Sequence, residues 1–188
     1  MTAEPAPAKP KRTRLRRLMM AAVVVLALTG AALFALVVVV PVDDAPSGDA
    51  VIVHAGGRGE RLAEALELMD IGAAPTLVVM YLGTDLYPDS DALCGRTEPY
   101  EVVCPAPEPV TTIGEAQEIG DLVLARDWDR IVVVSTDYHV RRAKLLDDKC
   151  TDAEVRAVAG SHQLGFLAHA ERVGHEMLGL LQAFFFSC

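Results

Sequence analysis

Basic residues are scarce beyond the first 42 positions of the sequence, and this scarcity excludes one class of partner. From residue 43 onward, 11 lysines and arginines stand against 25 aspartates and glutamates, and the chain carries a formal net charge of -9. The phosphate backbone of a nucleic acid would repel such an acidic surface. We therefore predict that the chain has no nucleic-acid partner.

Short metal-binding motifs are also missing. Neither Cys-x-x-Cys nor His-x₃-His occurs, although zinc sites commonly use such spacings, so we predict no metal site. The four cysteines instead fit disulfides, which persist in oxidising compartments. Cys94 and Cys104 bracket a loop, which suits a local bridge, and Cys150 and Cys188 would then form the second pair. Other connectivities are open, and the sequence does not choose among them.

One long segment lacks charge altogether. Residues 18–42 carry no charged side chain and consist mostly of Val, Leu and Ala. A helix needs roughly 20 apolar residues to cross the hydrocarbon layer, so this run is long enough. Six basic residues and one acid precede it. Because basic residues collect on the cytoplasmic side of membrane spans, we expect the N-terminus inside and the rest exported.

A cleaved signal peptide is the alternative for this segment. Its apolar stretch would usually cover about 7–15 residues and end in a small-x-small cleavage site. The run in this chain is longer and ends in Val-Pro-Val-Asp-Asp at residues 40–44, without such a site. We predict a cytoplasmic tail (1–17), a transmembrane anchor in the cytoplasmic membrane (18–42), a linker (43–48) and an extracytoplasmic domain (49–188).

The predicted domain alternates strands and helices. Short apolar or β-branched runs predict strands at 49–54, 76–81, 100–104, 130–135 and 154–158, and helical spacing predicts helices at 60–70, 112–126, 140–149 and 164–185. This alternation predicts an α/β fold with a mostly parallel sheet and helices on both faces. Ligands of such sheets bind beyond the carboxyl ends of the strands, so the loops there are the candidate sites.

The loop after the first predicted strand is rich in glycine. Gly56, Gly57 and Gly59 surround Arg58 and lead into a helix that contains Arg61. Glycines let backbone amides approach a ligand, a helix N-terminus attracts anions, and two guanidinium groups can clamp a phosphate or carboxylate. The alternative is a plain tight connection in which Arg61 pairs with Glu64 along its own helix.

The segment 135–143 carries the densest set of reactive groups. It offers the hydroxyls of Ser135 and Thr136, the carboxylate of Asp137, the imidazole of His139 and the guanidinium of Arg142. His139 is a candidate acid or base at neutral pH, Asp137 is a second one, and Arg142 would hold an anion one turn along. The alternative is that Asp137 caps the helix and His139 packs over the strand edge.

Three further features of the sequence have simpler explanations. Thr112 and Glu115 have the spacing of a helix-capping box, although they lie at the same predicted sheet edge. His54 ends a buried strand, and we predict a structural role for it. Residues 177–186 are very apolar but too few to span a bilayer. We predict that they pack in the core, with contact to the membrane surface as the alternative.

Four motifs in order resemble the YdcF-, SanA- and ElyC-like family, also described as domain of unknown function 218. They are a Gly-rich turn followed by Arg-Leu (Gly56, Gly57, Arg61, Leu62), a second strand followed by Gly83, a Thr-led helix start (112–116) and Ser-Thr-Asp-Tyr-His-Val-Arg-Arg-Ala (135–143). The resemblance covers residue 49 to the last helix. It implies a Rossmann-like fold, membrane anchoring and a role in cell-envelope integrity or wall biogenesis, without supplying a reaction.

Two functional hypotheses follow from the residues and from the resemblance. In the first, an enzyme-like envelope domain binds the phosphate or carboxylate of a cell-wall precursor. Gly56, Gly57, Arg58 and Arg61 would cradle that group, and the pocket would be completed by Gly83, Thr112, Ser135, Thr136, His139 and Arg142. Glu115 stands where the family often has Asn and is a candidate catalytic base. In the second, the protein is a non-catalytic scaffold for envelope partners.

Overall fold

A computed structural model gives the fold of the chain. It describes residues 11–38, 46–56, 59–80, 93–94, 96–97, 99–160 and 166–188. The chain divides into two compact units, Met1–Leu36 and Val37–Cys188.

The first unit is built on one long helix, α1, which runs over Lys11–Val38. Its segment Thr13–Ala32 has a mean hydropathy of 1.7 and is fully exposed. By length and composition, α1 is therefore able to cross a membrane. The helix begins earlier than the predicted anchor and includes several residues of the basic tail. The predicted end of the anchor and the first half of the predicted linker, at residues 39–45, lie outside the described residues.

The second unit contains a parallel sheet. Within the described residues its strands are β1 (Ala50–Val53), β2 (Thr76–Val79), β3 (Glu101–Val103), β4 (Arg130–Thr136) and β5 (Glu154–Gly160). Their order across the sheet is β3-β2-β1-β4-β5, and every neighbouring pair is parallel. The predicted α/β class is confirmed, and β4 and β5 extend slightly beyond their predicted ends.

Helices cover both faces of this sheet. They are α2 (Glu60–Asp70), α3 (Thr112–Arg126), α4 (Val140–Cys150) and α5 (Phe166–Phe185). Successive strand residues point to opposite faces. Val51 and Val53 accordingly pack against α2, whereas Ile52 packs against α3 and α4. Helix α5 packs on α4, where Ala183 meets Leu146. Because both faces of the sheet are covered, the central strand β1 is buried and apolar along its whole length.

The strand order reverses at the middle of the sheet. From β1 the chain adds β2 and β3 on one side, and then adds β4 and β5 on the other side of β1. The carboxyl ends of β1 and β4 therefore border the crevice at the topological switch point, where open α/β sheets bind their ligands. The fold thus places the loops after β1 and β4 at the expected binding position.

The cap of α3 is one residue earlier than predicted. The hydroxyl of Thr111, not of Thr112, accepts a hydrogen bond from the Gly114 amide at 3.1 Å and caps the helix. Thr111 also has the extended backbone that a cap residue adopts. The prediction that Thr112 forms the cap is therefore wrong. The Thr112 side chain is left available for contacts across the site.

Two disulfides tie the second unit together. Cys94 bonds Cys104, with 5.7 Å between their Cα atoms, and Cys150 bonds Cys188, with 5.1 Å between theirs. The suggested pairing is confirmed. The first bridge closes a short loop beside β3, and the second joins the end of α4 to the chain beyond α5.

Two helical glycines make a matched test of the packing between α3 and α4. A Cβ at Gly120 would overlap the backbone carbonyl of Cys150, whereas a Cβ at Gly174 in α5 meets open space. Alanine favours a helix by about 1 kcal/mol over glycine. Gly174→Ala should therefore stabilise the protein by roughly 0.5–1 kcal/mol, and Gly120→Ala should destabilise it by roughly 1–3 kcal/mol. Urea unfolding followed by Trp128 fluorescence would measure both effects. If both substitutions changed the stability in the same direction, the close packing of Gly120 against Cys150 would be contradicted.

Candidate functional site

Six of the predicted ligand-binding or catalytic side chains meet at the carboxyl ends of β1 and β4. Hydrogen bonds connect them across the loops, and they are Arg61, Thr112, Ser135, Thr136, His139 and Arg142. Elements far apart in the sequence supply them: the first turn of α2, the first residue of α3, the end of β4 and the first turn of α4. The predicted positions Gly57, Arg58 and Gly83 lie outside the described residues.

His139 occupies the centre of this group. Its Nδ1 lies 2.8 Å from the Ser135 hydroxyl and its Nε2 lies 3.4 Å from the Thr112 hydroxyl. Burial lowers the pKa of His139 well below its usual value, and the positive charges of Arg61, Arg142 and His54 lower it further. The imidazole is therefore neutral at neutral pH and offers one donor and one acceptor.

The hydrogen bond from Arg142 to Thr112 favours one tautomer of His139. Its Nη1 donates to the Thr112 hydroxyl oxygen at 2.8 Å. Thr112 can then donate its own proton to Nε2 of His139, and the Nδ1–H of His139 can donate to Ser135. This arrangement gives every polar group of the set a partner, which buried polar groups require. The Thr112 hydroxyl thus lies between a cation and a neutral imidazole.

A carboxylate on α5 holds Arg142 in place. The Nε and Nη2 atoms of Arg142 donate to the two oxygens of Glu176 at 2.6 Å and 3.0 Å. Such two-pronged pairs are among the strongest polar contacts in proteins. Gly179 leaves room for the arginine, because a Cβ there would crowd its Cδ and Nε atoms. Sequence reasoning missed Glu176, although its helical spacing from the buried Val173 marks it as an inward-facing acid.

Arg61 joins the loops that follow β1 and β4. Its side chain is buried and donates to the carbonyl oxygens of His54 and Ala55 and, at 3.1 Å, to the hydroxyl of Thr136. The Nε atom has no hydrogen-bond partner in the part of the chain that the structure describes. Gly56 has a φ of 96°, and a Cβ there would press on this guanidinium. Arg61 therefore fixes the shape of the site and keeps one N–H unpaired.

A buried histidine between two acids lies beneath the site. The Nε2 of His54 is 2.8 Å from an oxygen of Asp147, and its Nδ1 is 3.3 Å from an oxygen of Glu115. The other Glu115 oxygen accepts the backbone N–H of Ala55 at 2.6 Å. Glu115 thus ties α3 to the end of β1 and does not close a capping box on its own helix. All three side chains are almost completely buried.

This triad carries a positive charge at its centre. Burial by itself lowers the pKa of His54, but the charge of Asp147 and the hydrogen bonds that Asp147 and Glu115 accept from the ring outweigh burial and raise the pKa to about 10. Burial raises the pKa of Asp147, and the His54 charge opposes that change. His54 is therefore an imidazolium at neutral pH. Its ring centre lies 6.1 Å from that of the neutral His139.

Asp147 was not predicted from the sequence, although its helical spacing indicates a buried position. Val140, Ala143 and Asp147 follow the spacing of one helix face, and all three are buried. An acid at a core-facing position needs a buried partner, and His54, at the end of the central strand, supplies it. One Asp147 oxygen has no hydrogen-bond partner within the described ranges. The polar triad is therefore incompletely satisfied at this atom.

Asp137, the third predicted acid–base residue, takes a local role in its loop. It is half-buried, and one of its carboxylate oxygens accepts the N–H of Tyr138 at 2.7 Å. The residue at the cap position of α4 is His139, whose side chain makes no capping hydrogen bond. The alternative in which Asp137 caps α4 therefore does not hold. Asp137 shapes the turn that leads from β4 to His139.

Two small cavities adjoin Thr112. One of about 170 Å³ is lined by Ala55, Val110, Thr111, Thr112 and Glu115. The other, of about 120 Å³, is bordered by Thr112, Arg142 and the α5 residue Gly179. Since one water takes up about 30 Å³ of liquid volume, each cavity has room for a small polyatomic group. A larger groove of about 540 Å³ lies by Cys150, but its acids Asp121 and Asp152 would repel an anion.

The electrostatics at the switch point favour a negative group. Helices α2, α3 and α4 each follow a parallel strand, so their N-termini all lie at the carboxyl edge of the sheet. Each N-terminus carries partial positive charge. Among the residues that the structure describes, no group of three or more His, Cys, Asp or Glu could hold a metal ion. The arrangement suits direct binding of a small anion.

Comparisons with known proteins leave the chain without a match. No protein-family model, no curated protein and no solved structure matches it.

Proposed function

We propose that this chain is a membrane-anchored extracytoplasmic protein of the cell envelope, related to the YdcF-, SanA- and ElyC-like family. In this proposal it binds a small phosphate- or carboxylate-bearing ligand connected with the cell wall. The apolar helix α1 supports an anchor. The basic residues before position 18 support an inside N-terminus, and the disulfides support export of the domain.

The observation that carries the binding proposal is the convergence at the switch point. Three helix N-termini, the guanidinium of Arg142 and the hydroxyl of Thr112 surround the same part of the sheet edge. Helix N-termini and arginine are the two protein features that most often bind phosphates and carboxylates. An anion beside Thr112 would lie within reach of these groups and would share the guanidinium of Arg142 with Glu176.

His139 links binding to possible proton transfer. While the site is empty of anions, the neighbouring arginines help to keep the imidazole neutral. A bound anion would offset those charges and raise the pKa of His139 toward the physiological range. The same residue would then be able to exchange a proton with the ligand. Binding is thus the first step, and turnover is possible only for a ligand that reaches His139.

A non-catalytic scaffold remains the second candidate, and one observation favours it. Arg142 is already paired through two hydrogen bonds with the buried Glu176. An incoming anion must share or displace that carboxylate, which weakens its binding. A scaffold would use the ion pair only to join α4 to α5.

Removing the Arg142–Glu176 ion pair distinguishes the anion-binding function from the scaffold function. We expect inorganic phosphate at 100 times its dissociation constant to stabilise the protein by about 2.7 kcal/mol. The double variant Arg142→Gln/Glu176→Gln should lose that stabilisation, because the cation is gone and no unpaired buried acid is left behind. Thermal unfolding with phosphate, against chloride at equal ionic strength, would measure the difference.

The matched control removes an exposed ion pair of the same kind. Arg126 and Glu101 form a two-pronged pair at the far end of α3, with side chains that are 36% and 41% exposed. Arg126→Gln/Glu101→Gln should keep the full response to phosphate. If both double variants respond to phosphate like the unchanged protein, the proposed site does not bind the anion.

A further inference from the structure

One face of α5 remains exposed on the folded domain. Leu178, Leu181 and Phe185 follow one another at helical spacing and are 70%, 61% and 82% exposed, and the adjacent Phe184 is 68% exposed. The opposite face of the helix is buried through Val173, Glu176 and Ala183. We call Leu178, Leu181, Phe184 and Phe185 the α5 stripe.

We propose that the α5 stripe docks on the surface of the lipid bilayer that holds α1. The inference rests on the membrane anchor of the proposed function and goes beyond it, because it assigns a second membrane contact to the folded domain. Amphipathic helices with aromatic and leucine side chains on one face lie in the interface between headgroups and acyl chains. The α5 stripe has that composition.

The size of the stripe favours lipid over a second protein. Four side chains of this kind present roughly 500–600 Å² of apolar surface, since a phenylalanine carries about 150–250 Å². A specific protein interface usually covers about 800 Å² on each partner. The stripe is too small for that by itself. A membrane-tethered domain needs only a weak second contact, because the tether keeps the effective concentration of lipid high.

Backbone carbonyl groups at the C-terminal end of α5 have hydrogen-bond partners within the protein. The last carbonyl groups of a helix have no hydrogen-bond partner within the helix. Burying such a group without a hydrogen bond costs roughly 2–7 kcal/mol. Lys149 donates to the carbonyl oxygens of Ala183, Phe184 and Phe186, each at 2.8 Å. Its ammonium group also lies 5.8 Å from the ring centre of Phe184. The phenylalanine-bearing end can therefore enter the interface without leaving these groups unpaired.

Chain length and charge are consistent with this contact. Residues 39–49 join α1 to β1 and span at most roughly 40 Å when extended, which exceeds the diameter of about 30 Å of a small domain. The acidic composition beyond residue 42 would be repelled by anionic headgroups. The occupant that fits the stripe is accordingly a zwitterionic lipid surface, held by apolar contact.

Tryptophan probes in the full chain test the contact. In a Trp128→Phe background, Leu181→Trp and Leu178→Trp report from the stripe, and Leu124→Trp reports from an equally apolar site that is 84% exposed on α3. The protein would be placed, one copy per disc, in phosphatidylcholine nanodiscs with doxyl-labelled lipid. We expect the label to quench the stripe probes at least twofold more than the α3 probe.

Each outcome has a definite meaning. Equal quenching at all three positions overturns the docking of the stripe and leaves the anchor intact. Stripe probes that become shielded from lipid only when two copies share a disc identify a dimer interface, which also overturns the proposal. A chain that does not enter discs contradicts the anchor itself, and with it this inference. Phosphate binding in the same discs remains a separate readout of the proposed site.

Discussion

His54→Ala should lower the free energy of unfolding by about 3–5 kcal/mol, the usual cost of removing one partner from a buried ion pair. The substitution takes away the cation between Asp147 and Glu115 and leaves two acids in the core with too few donors. Asp147 would be destabilised most, because one of its carboxylate oxygens already lacks a hydrogen-bond partner within the described residues. Urea unfolding, followed by the fluorescence of the single tryptophan, measures this loss.

Two further variants separate the charge effect from a simple packing effect. His175→Ala removes an exposed imidazole from α5 and should change stability by less than about 0.5 kcal/mol. His54→Leu/Asp147→Leu replaces the pair by apolar side chains and should recover part of the stability lost in His54→Ala. A cost below about 1 kcal/mol for His54→Ala would show that His54 is not the charged centre of the core.

The pH dependence of stability follows from the same residue. The folded pKa of His54 is about 10, above its ordinary value of 6.5. The folded state therefore holds this proton more tightly than the unfolded state. The stabilisation is complete below pH 6.5, declines as the pH rises, and is gone above about pH 10. Its total is a few kcal/mol, since a tenfold change in proton affinity corresponds to about 1.4 kcal/mol. His54→Gln should lose this decline between pH 6.5 and 10.

Loss of the Cys150–Cys188 bridge should have the second large effect on stability. The bridge closes a loop with a sequence separation of 38, against 10 for Cys94–Cys104. A disulfide stabilises a protein by restricting the unfolded chain, and the effect grows with loop length. Removing the long-range bridge should therefore lower the free energy of unfolding by about 4 kcal/mol, and removing the short one by about 2.7 kcal/mol. We expect Cys150→Ala/Cys188→Ala to unfold at clearly lower urea concentration than Cys94→Ala/Cys104→Ala. The reverse order would contradict the assigned pairing or its role in the fold.

The long-range bridge also connects stability to the α5 surface. Cys150 ends α4, and its neighbour Lys149 caps the carbonyls at the end of α5. Without the bridge, this end of α5 should fray before the sheet does. Hydrogen exchange of the amides near residue 185 should then accelerate more than exchange in β1. Equal protection with and without the bridge would show that packing alone holds the helix.

The fold itself was predictable from the sequence to a large extent. Helices 60–70 and 112–126 have the predicted bounds, because apolar residues at helical spacing and clear terminal signals define them. The apolar runs at β1 and β4 gave the parallel sheet, since strands covered on both faces need apolar side chains throughout. The convergence of Thr112 and His139 also followed from topology, because carboxyl ends of parallel strands share one edge.

The polar contacts within the site could not be predicted from the sequence. Two consecutive threonines leave the cap ambiguous, and only the backbone turn selects Thr111 and releases Thr112. The pairing of His54 with Asp147 joins residues 93 positions apart. It depends on the exact rotation of α4 against β1, which apolar spacing fixes only coarsely. For the same reason Glu176 was not recognised as the partner of Arg142.

The most direct test of the proposed site is the protonation of His139 with and without an anion. Nitrogen NMR of the imidazoles, in the full chain held in nanodiscs, would follow this residue from pH 4 to pH 8 while inorganic phosphate is added. We expect His139 to stay neutral well below its ordinary pKa without phosphate and to show a raised pKa at saturation, while the signals of the exposed His175 stay unchanged on adding phosphate. A His139 titration that phosphate does not move would contradict an anion site at the carboxyl edge of β1 and β4.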